Sequence, residues 1–233
     1  MKFDAVREVL GDTPYLGVDE GWELYHHVLN EKPEAILELG HAHGVSTLYL
    51  AAALDELGRG SIDSVDLLSA ADRQPNLEMF LLKAGLEKYV TIHREKNSYN
   101  WFLKKKIEAQ SENSVCAPCY DFCFIDGPKN WTIDGFAFFL ADKLLHDKAW
   151  ILFDDMNWTH GKHKGREATD GITIRSLSAE EIENPQIEAV YRLLVLQNPA
   201  YSNFKVQDDW WAWAQKTPDG ARTVEKAKKS YES

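Results

Sequence analysis

Basic residues are in deficit: lysine and arginine number 26 against 37 aspartates and glutamates, a formal net charge of -11. A field of that sign repels phosphate backbones, which disfavours a nucleic-acid partner. Cysteine is scarce, and Cys116, Cys119 and Cys123 are clustered in one short stretch. An odd, clustered set argues against a disulfide framework, and three thiols leave a tetrahedral metal site one ligand short. Cys123 lies in an apolar run, where it reads as a small buried hydrophobe. Long apolar stretches are missing too: none approaches the ~20 residues that span a bilayer. The opening Met-Lys-Phe-Asp-Ala-Val-Arg-Glu places charges where a secretory leader needs an apolar core. The expectation is a cytoplasmic protein without membrane association. Internal repeats and low-complexity tracts are absent.

What is present is ordinary for a globular chain. Its 233 residues are 44% hydrophobic and 27% charged, enough for one substantial core and a predicted single domain over residues 1–233. Trp22, Tyr25, Val28 and Leu29 fall at helical spacing, Pro33 ends that helix, and residues 1–33 read as an amino-terminal helical cap. Strands are predicted over residues 35–39, 61–65, 89–94, 120–125 and 149–153, with helices over 46–57, around 78–84, 98–110 and 133–145. Strands alternating with helices require crossovers, hence a mostly parallel α/β sheet with helices on both faces. Such sheets bind ligands at the carboxyl ends of their strands.

The tail reads differently. A helix over residues 186–197 carries Ile187, Val190, Leu193 and Leu194 on one face. Strands at 204–207 and 210–215 flank Asp208-Asp209, as an antiparallel hairpin would. Trp210, Trp211 and Trp213 alternate there, which gives one core face and one outer face suited to a homodimer contact. Residues 157–173 are rich in Gly, Lys and His without periodicity, and 157–177 is read as a substrate loop or lid.

The most informative segment is Ile36-Leu-Glu-Leu-Gly-His-Ala-His-Gly-Val-Ser46, a buried strand entering a glycine loop and a helix. Gly40 and Gly44 let the backbone turn sharply and approach a ligand closely. Their G-x-x-x-G spacing is not the G-x-G-x-x-G of a dinucleotide turn, which weighs against nicotinamide. Asp66, at the end of the second strand, is placed to accept hydrogen bonds from a ribose diol. Asn97 and Ser98, after the third, are placed to read an adenine edge.

A second constellation lies downstream, in Asp121-Phe-Cys-Phe-Ile-Asp-Gly-Pro-Lys129 and Trp150-Ile-Leu-Phe-Asp-Asp155. Asp126 ends one strand and Asp154 and Asp155 another, so neighbouring strands about 4.8 Å apart would bring three carboxylates together. Such like charges need compensation, and an all-oxygen set favours magnesium, manganese or calcium. The alternative has Asp155 capping the next segment and Asp126 turned to solvent.

Together these residues resemble the class I S-adenosylmethionine-dependent methyltransferases, in the metal-dependent branch that contains catechol O-methyltransferase. The resemblance covers roughly residues 15–158. It implies a Rossmann-like seven-stranded sheet with a reversed last strand, and Glu38 on the methionine part of the cofactor. The expected cofactor contacts are then Glu38, Gly40, His41, Gly44, Ser46, Asp66, Asn97, Ser98 and Asp126. In that family two aspartates and an asparagine hold the metal; Asp126 and Asp154 match, whereas Asp155 departs. The extra carboxylate suits neutral hydroxyls better than anionic substrates.

Lys129 stands at the family's lysine position in Asp-x-x-Lys. Beside a divalent cation its pKa should fall toward that of a useful base. The implied reaction is loss of a proton from a small molecule's hydroxyl to Lys129 and in-line attack on the sulfonium methyl. Two alternatives remain open: a metal-independent methyltransferase, RNA-modifying ones included, and a cofactor-binding protein without turnover. His41, His43, His160 and His163 read as solvated loop histidines, and Trp131 and Trp158 as substrate walls or packing residues.

Overall fold

The computed structural model describes residues 2–162 and 175–229. In chain order its elements are α1 Lys2–Leu10, α2 Val18–Glu31, β1 Ala35–Leu39, α3 Val45–Leu57, β2 Ser61–Leu67, α4 Leu77–Ala84, β3 Val90–Glu95 and α5 Tyr99–Gln110. There follow β4 Ser111–Glu112, β5 Val115–Cys116, β6 Tyr120–Ile125, α6 Trp131–Asp142 and β7 Leu145–Phe153. The tail holds α7 Ala179–Glu183, α8 Gln186–Val190, β8 Ser202–Gln207, β9 Trp211–Gln215 and β10 Glu225–Ala227.

Among the described residues the strands form an eight-stranded sheet in the order β10-β8-β9-β7-β6-β1-β2-β3, with β4 and β5 as a separate ribbon. The α/β expectation holds, with one correction: seven strands were expected and there are eight. The added strand is β10, three residues paired parallel to β8. Its Glu-Lys-Ala carries no alternation that a strand reading could detect.

The chain divides into two compact units. Among the described residues, the first comprises 2–99, 120–122 and 229. Its strands β1, β2 and β3 pair in parallel, with Glu38 opposite Ser64 and Asp66 opposite Arg94. The helix α3 is buried from Val45 to Leu54, on all sides, as its mostly apolar sequence requires, with the polar Ser46 and Thr47 in its first turn buried too. Gly58 ends it in the left-handed conformation. The charged amino terminus folds as α1 and buries Phe3, Val6 and Leu10, with Phe3 stacked on Tyr49. The helix α2 begins with Glu20 accepting from the Gly17 N–H at 2.7 Å and ends at Glu31, capped by Lys32 just before Pro33.

Among the described residues, the second unit comprises 100–119, 123–162 and 175–228. The antiparallel tail is present: β9 pairs antiparallel with both β7 and β8. Asp208 and Asp209 both adopt positive φ, at 52° and 53°, as a two-residue hairpin turn requires. Both faces of β9 are buried, because Ala212 and Ala214 are covered as fully as Trp211 and Trp213. The expected outer face is therefore missing from that strand. The tail helix also departs from expectation. α8 passes into a π-helical turn over Tyr191–Val195, which rotates the buried face onto Tyr191 and Val195 and leaves Leu193 40% exposed.

The loop predicted over residues 157–173 is described only as far as Lys162, where residues 160–162 form a 3-10 turn. The remainder, including His163, lies outside the described residues. Among those described, no helix is long and apolar enough to cross a membrane.

Candidate functional site

Two clusters carry chemistry, one in each unit. In the first, β1 delivers Glu38 into the interior and the chain then turns through Gly40, at φ 94°, and Gly44, at φ 97°, before α3 begins. Gly44 is required twice over. Its left-handed backbone disfavours a side chain, and an added Cβ would lie 2.5 Å from Leu77 Cδ1. Asp66, at the end of β2, holds the loop from the side: Oδ2 accepts from the backbone N–H of His41 at 2.9 Å and of Ala42 at 2.7 Å.

Glu38 is fully buried, and its carboxylate is occupied. Oε1 accepts from Ser46 Oγ at 2.6 Å, and Oε2 accepts from Thr47 Oγ1 at 2.5 Å and Ser64 Oγ at 2.6 Å. Burial pushes this carboxyl above its usual range, and the hydroxyl donors oppose the rise. Ser46, expected beside the cofactor, spends its hydroxyl on Glu38. His41 is buried as well, with Nδ1 2.8 Å from Ser64 Oγ and Nε2 2.6 Å from Arg94 Nη1. Burial lowers its pKa to about 4, opposed by Asp66 and assisted by Arg94 and Arg73. It is a buried imidazole with its pKa lowered, not the solvated loop residue that the sequence suggests. His43 places Nδ1 2.6 Å from the Pro75 carbonyl and stacks on Tyr15. Asn97 is exposed and Ser98 half-buried, both in the turn between β3 and α5.

In the second unit β6 leads to Asp126 and β7 to Asp154 and Asp155. Each of the three offers an oxygen within 4.8 Å of the others. This convergence is what the sequence predicts from strand ends alone. Lys129 lies among them, hydrogen-bonded to Asp126 and with Nζ 3.1 Å from Asp155 Oδ2 and 3.5 Å from Asp154 Oδ2. Burial pulls this amine down, but Asp126, Asp154 and Asp155 outweigh it and hold the ammonium well above its ordinary range. The backbone is set for this: Lys129 and Asp155 both adopt positive φ, at 64° and 59°. Non-glycine residues in that region concentrate at functional positions.

Three supports were invisible in sequence. Trp211 Nε1 donates to Asp154 Oδ1 at 2.6 Å. Asn130 caps α6 by accepting from the N–H groups of Thr132 and Ile133. Gln186 accepts from the Trp131 N–H at 2.7 Å and donates to the Glu181 carbonyl at 3.0 Å. Trp158 is buried and packs edge-on against His160, whereas Trp131 is 40% exposed and borders a cavity of about 220 Å³ with Leu177, Glu180, Asn184 and Leu193.

A family described as a methyltransferase domain matches residues 37–156, just over half of the chain. This chain belongs to that family. The match begins inside β1 and ends just past Asp155, so the glycine loop, Asp66 and the carboxylate cluster all lie in the methyltransferase segment. No curated protein matches the sequence.

Solved methyltransferases share the fold. The O-methyltransferase from Bacillus cereus in complex with SAH is 20% identical over 93% of this chain and 90% of that one, with a TM-score of 0.62. TomG from Streptomyces achromogenes, an O-methyltransferase of tomaymycin synthesis in complex with SAM, is 16% identical over 93% and 89%, with a TM-score of 0.59. The SAH-bound methyltransferase PaMTH1 from Podospora anserina is 15% identical over 93% and 86%, with a TM-score of 0.60.

Proposed function

We propose that this methyltransferase transfers the methyl group of S-adenosylmethionine to a hydroxyl of a small molecule, with a divalent cation held by Asp126, Asp154 and Asp155. The observation that carries the reading is the carboxylate cluster around Lys129 within the family's segment. SAM- and SAH-bound proteins of the same fold support the choice of cofactor. The net charge of -11 supports a small acceptor over a nucleic acid.

The donor set fits the ion. Opposed ligands of a hard cation lie about 4–5 Å apart, and the three carboxylates fall inside that span. The cation would acidify a hydroxyl, and S-adenosylmethionine would supply an electrophilic methyl. The chain's own residues do the rest. Asp66 braces the loop that takes the cofactor, through two backbone N–H groups, and Glu38 fixes the first turn of α3 through Ser46 and Thr47. Lys129, in the neutral amine form left after its ammonium has released a proton to solvent, would take the acceptor's proton at Nζ. With the carboxylates' charge committed to a cation, burial becomes the dominant influence on Lys129 and moves its pKa toward that of a base.

The ion pairs of Lys129 favour a second reading, in which the ammonium itself neutralises the aspartates and transfer proceeds without metal. Calorimetric titration of manganese into protein saturated with S-adenosylhomocysteine separates the two. Saturable binding that disappears in Asp154→Asn supports the metal-assisted reaction; cofactor binding without metal binding leaves the metal-free one.

A further inference from the structure

Arg94 fixes the direction of a buried hydrogen-bond chain. A guanidinium has donors only, so Nη1, 2.6 Å from His41 Nε2, must donate, and Nε2 must be the unprotonated ring nitrogen. The ring proton therefore sits on Nδ1 and is donated to Ser64 Oγ, 2.8 Å away. Ser64 in turn donates its own proton to Glu38 Oε2 at 2.6 Å. Each link has one orientation compatible with the next, and the chain runs from a permanent cation, its side chain 13% exposed, through buried His41 and Ser64 to the fully buried Glu38 carboxylate. At the outer end both oxygens of Glu78 lie 3.1 Å from Arg94 Nη2, which fixes the guanidinium.

The strand registers make the arrangement. Ser64 lies opposite Glu38, and Arg94 lies opposite Asp66. The backbone N–H of His41 meanwhile donates to Asp66 Oδ2 at 2.9 Å, so a single residue ties the glycine loop to both β2 and β3. The imidazole must stay neutral for this, since an imidazolium has no acceptor to offer Arg94. The charged groups acting on the ring are Asp66, Arg94 and Arg73, and burial keeps it neutral.

We propose that His41 and Arg94 are positioning residues for the cofactor loop: the ordered chain Arg94–His41–Ser64 holds Glu38 as the anchor of the first turn of α3 and keeps residues 40–44 in the form that receives the cofactor. The inference rests on the cofactor reading above and adds to it Arg94 and a positioning role for His41.

Long-range proton–nitrogen spectra of ¹⁵N-labelled protein report the tautomer of His41, and the same samples can be titrated with S-adenosylhomocysteine. The expected wild-type signature is a proton on Nδ1, lost or mixed in Arg94→Met. Affinity for S-adenosylhomocysteine should fall about tenfold in His41→Phe and Arg94→Met, and recover to within about threefold of wild type in His41→Asn, whose amide can still donate to Ser64. A proton on Nε2 in the wild type, or wild-type affinity in His41→Phe, overturns the proposal. The tautomer is read on unmutated protein, so a variant that fails to fold does not block the test. Wild-type protein that binds no S-adenosylhomocysteine would sink the cofactor reading itself, whereas binding combined with the wrong tautomer sinks the positioning role alone.

Discussion

The indole of Trp211 on β9 donates its N–H to Asp154 Oδ1 at 2.6 Å, while Asp154 Oδ2 faces the ammonium of Lys129 at 3.5 Å. One carboxylate oxygen is thus held by a buried aromatic on the reversed hairpin, which leaves the other oriented for the cluster. Groups that orient ligands in this way commonly change metal affinity about 10- to 100-fold when removed. Trp211→Phe should keep the fold and weaken manganese binding by that order, measured by calorimetry. Unchanged affinity would show that Asp154 needs no such support.

Replacing Lys129 tests the electrostatics of the cluster. Lys129→Met leaves three convergent carboxylates without their ammonium, and breaking a buried ion pair from one side costs about 3–5 kcal/mol. Urea unfolding should show a loss of that size, largely reversed by manganese. Turnover should fall to background with S-adenosylhomocysteine binding intact. Near-normal turnover would remove the base role.

His41 gives a pH signature. Its folded-state pKa lies near 4, below the ordinary 6.5, so between those values the unfolded chain binds the additional proton. Stability should therefore fall as pH drops from 6.5 toward 4, by up to about 3 kcal/mol. In His41→Gln this contribution should vanish, flattening the profile obtained from urea midpoints. Parallel profiles in the two proteins would contradict the burial of a neutral imidazole.

Gly44→Ala should be among the most damaging single-methyl additions. The residue sits at φ 97°, and the new Cβ would meet Leu77 at 2.5 Å from Cδ1 and 3.2 Å from Cα. Left-handed backbone and overpacking together suggest a cost of about 2–4 kcal/mol. Thermal unfolding measures the cost, and S-adenosylhomocysteine binding should weaken with it.

The carboxylate cluster was legible because strand periodicity fixes where a strand ends, and a residue at a strand end has a predictable place. Asp126, Asp154 and Asp155 converge on that logic alone. The glycine loop was legible for a similar reason, since Gly40 and Gly44 mark backbone that turns through positive φ. Trp211 was not, because its contact with Asp154 joins residues 57 positions apart and depends on how far the hairpin slides along β7. Nothing in local sequence encodes that register. The partners of Glu38 were missed for a different reason: Ser46 sits in the expected cofactor loop, yet a buried carboxylate takes its hydroxyl first. The π-helical turn at Tyr191–Val195 defeated the helical spacing outright, because the reading assumed a constant period.

The most direct test is turnover. S-Adenosylmethionine consumption should be followed over a panel of catechols, vicinal diols and monophenols, with magnesium or manganese and again with chelator. The account predicts S-adenosylhomocysteine and an O-methylated product with at least one hydroxylated acceptor, abolished by chelator and restored by metal. Methyl transfer indifferent to chelator would contradict the role assigned to Asp126, Asp154 and Asp155, and methylation confined to RNA would contradict the small-molecule acceptor.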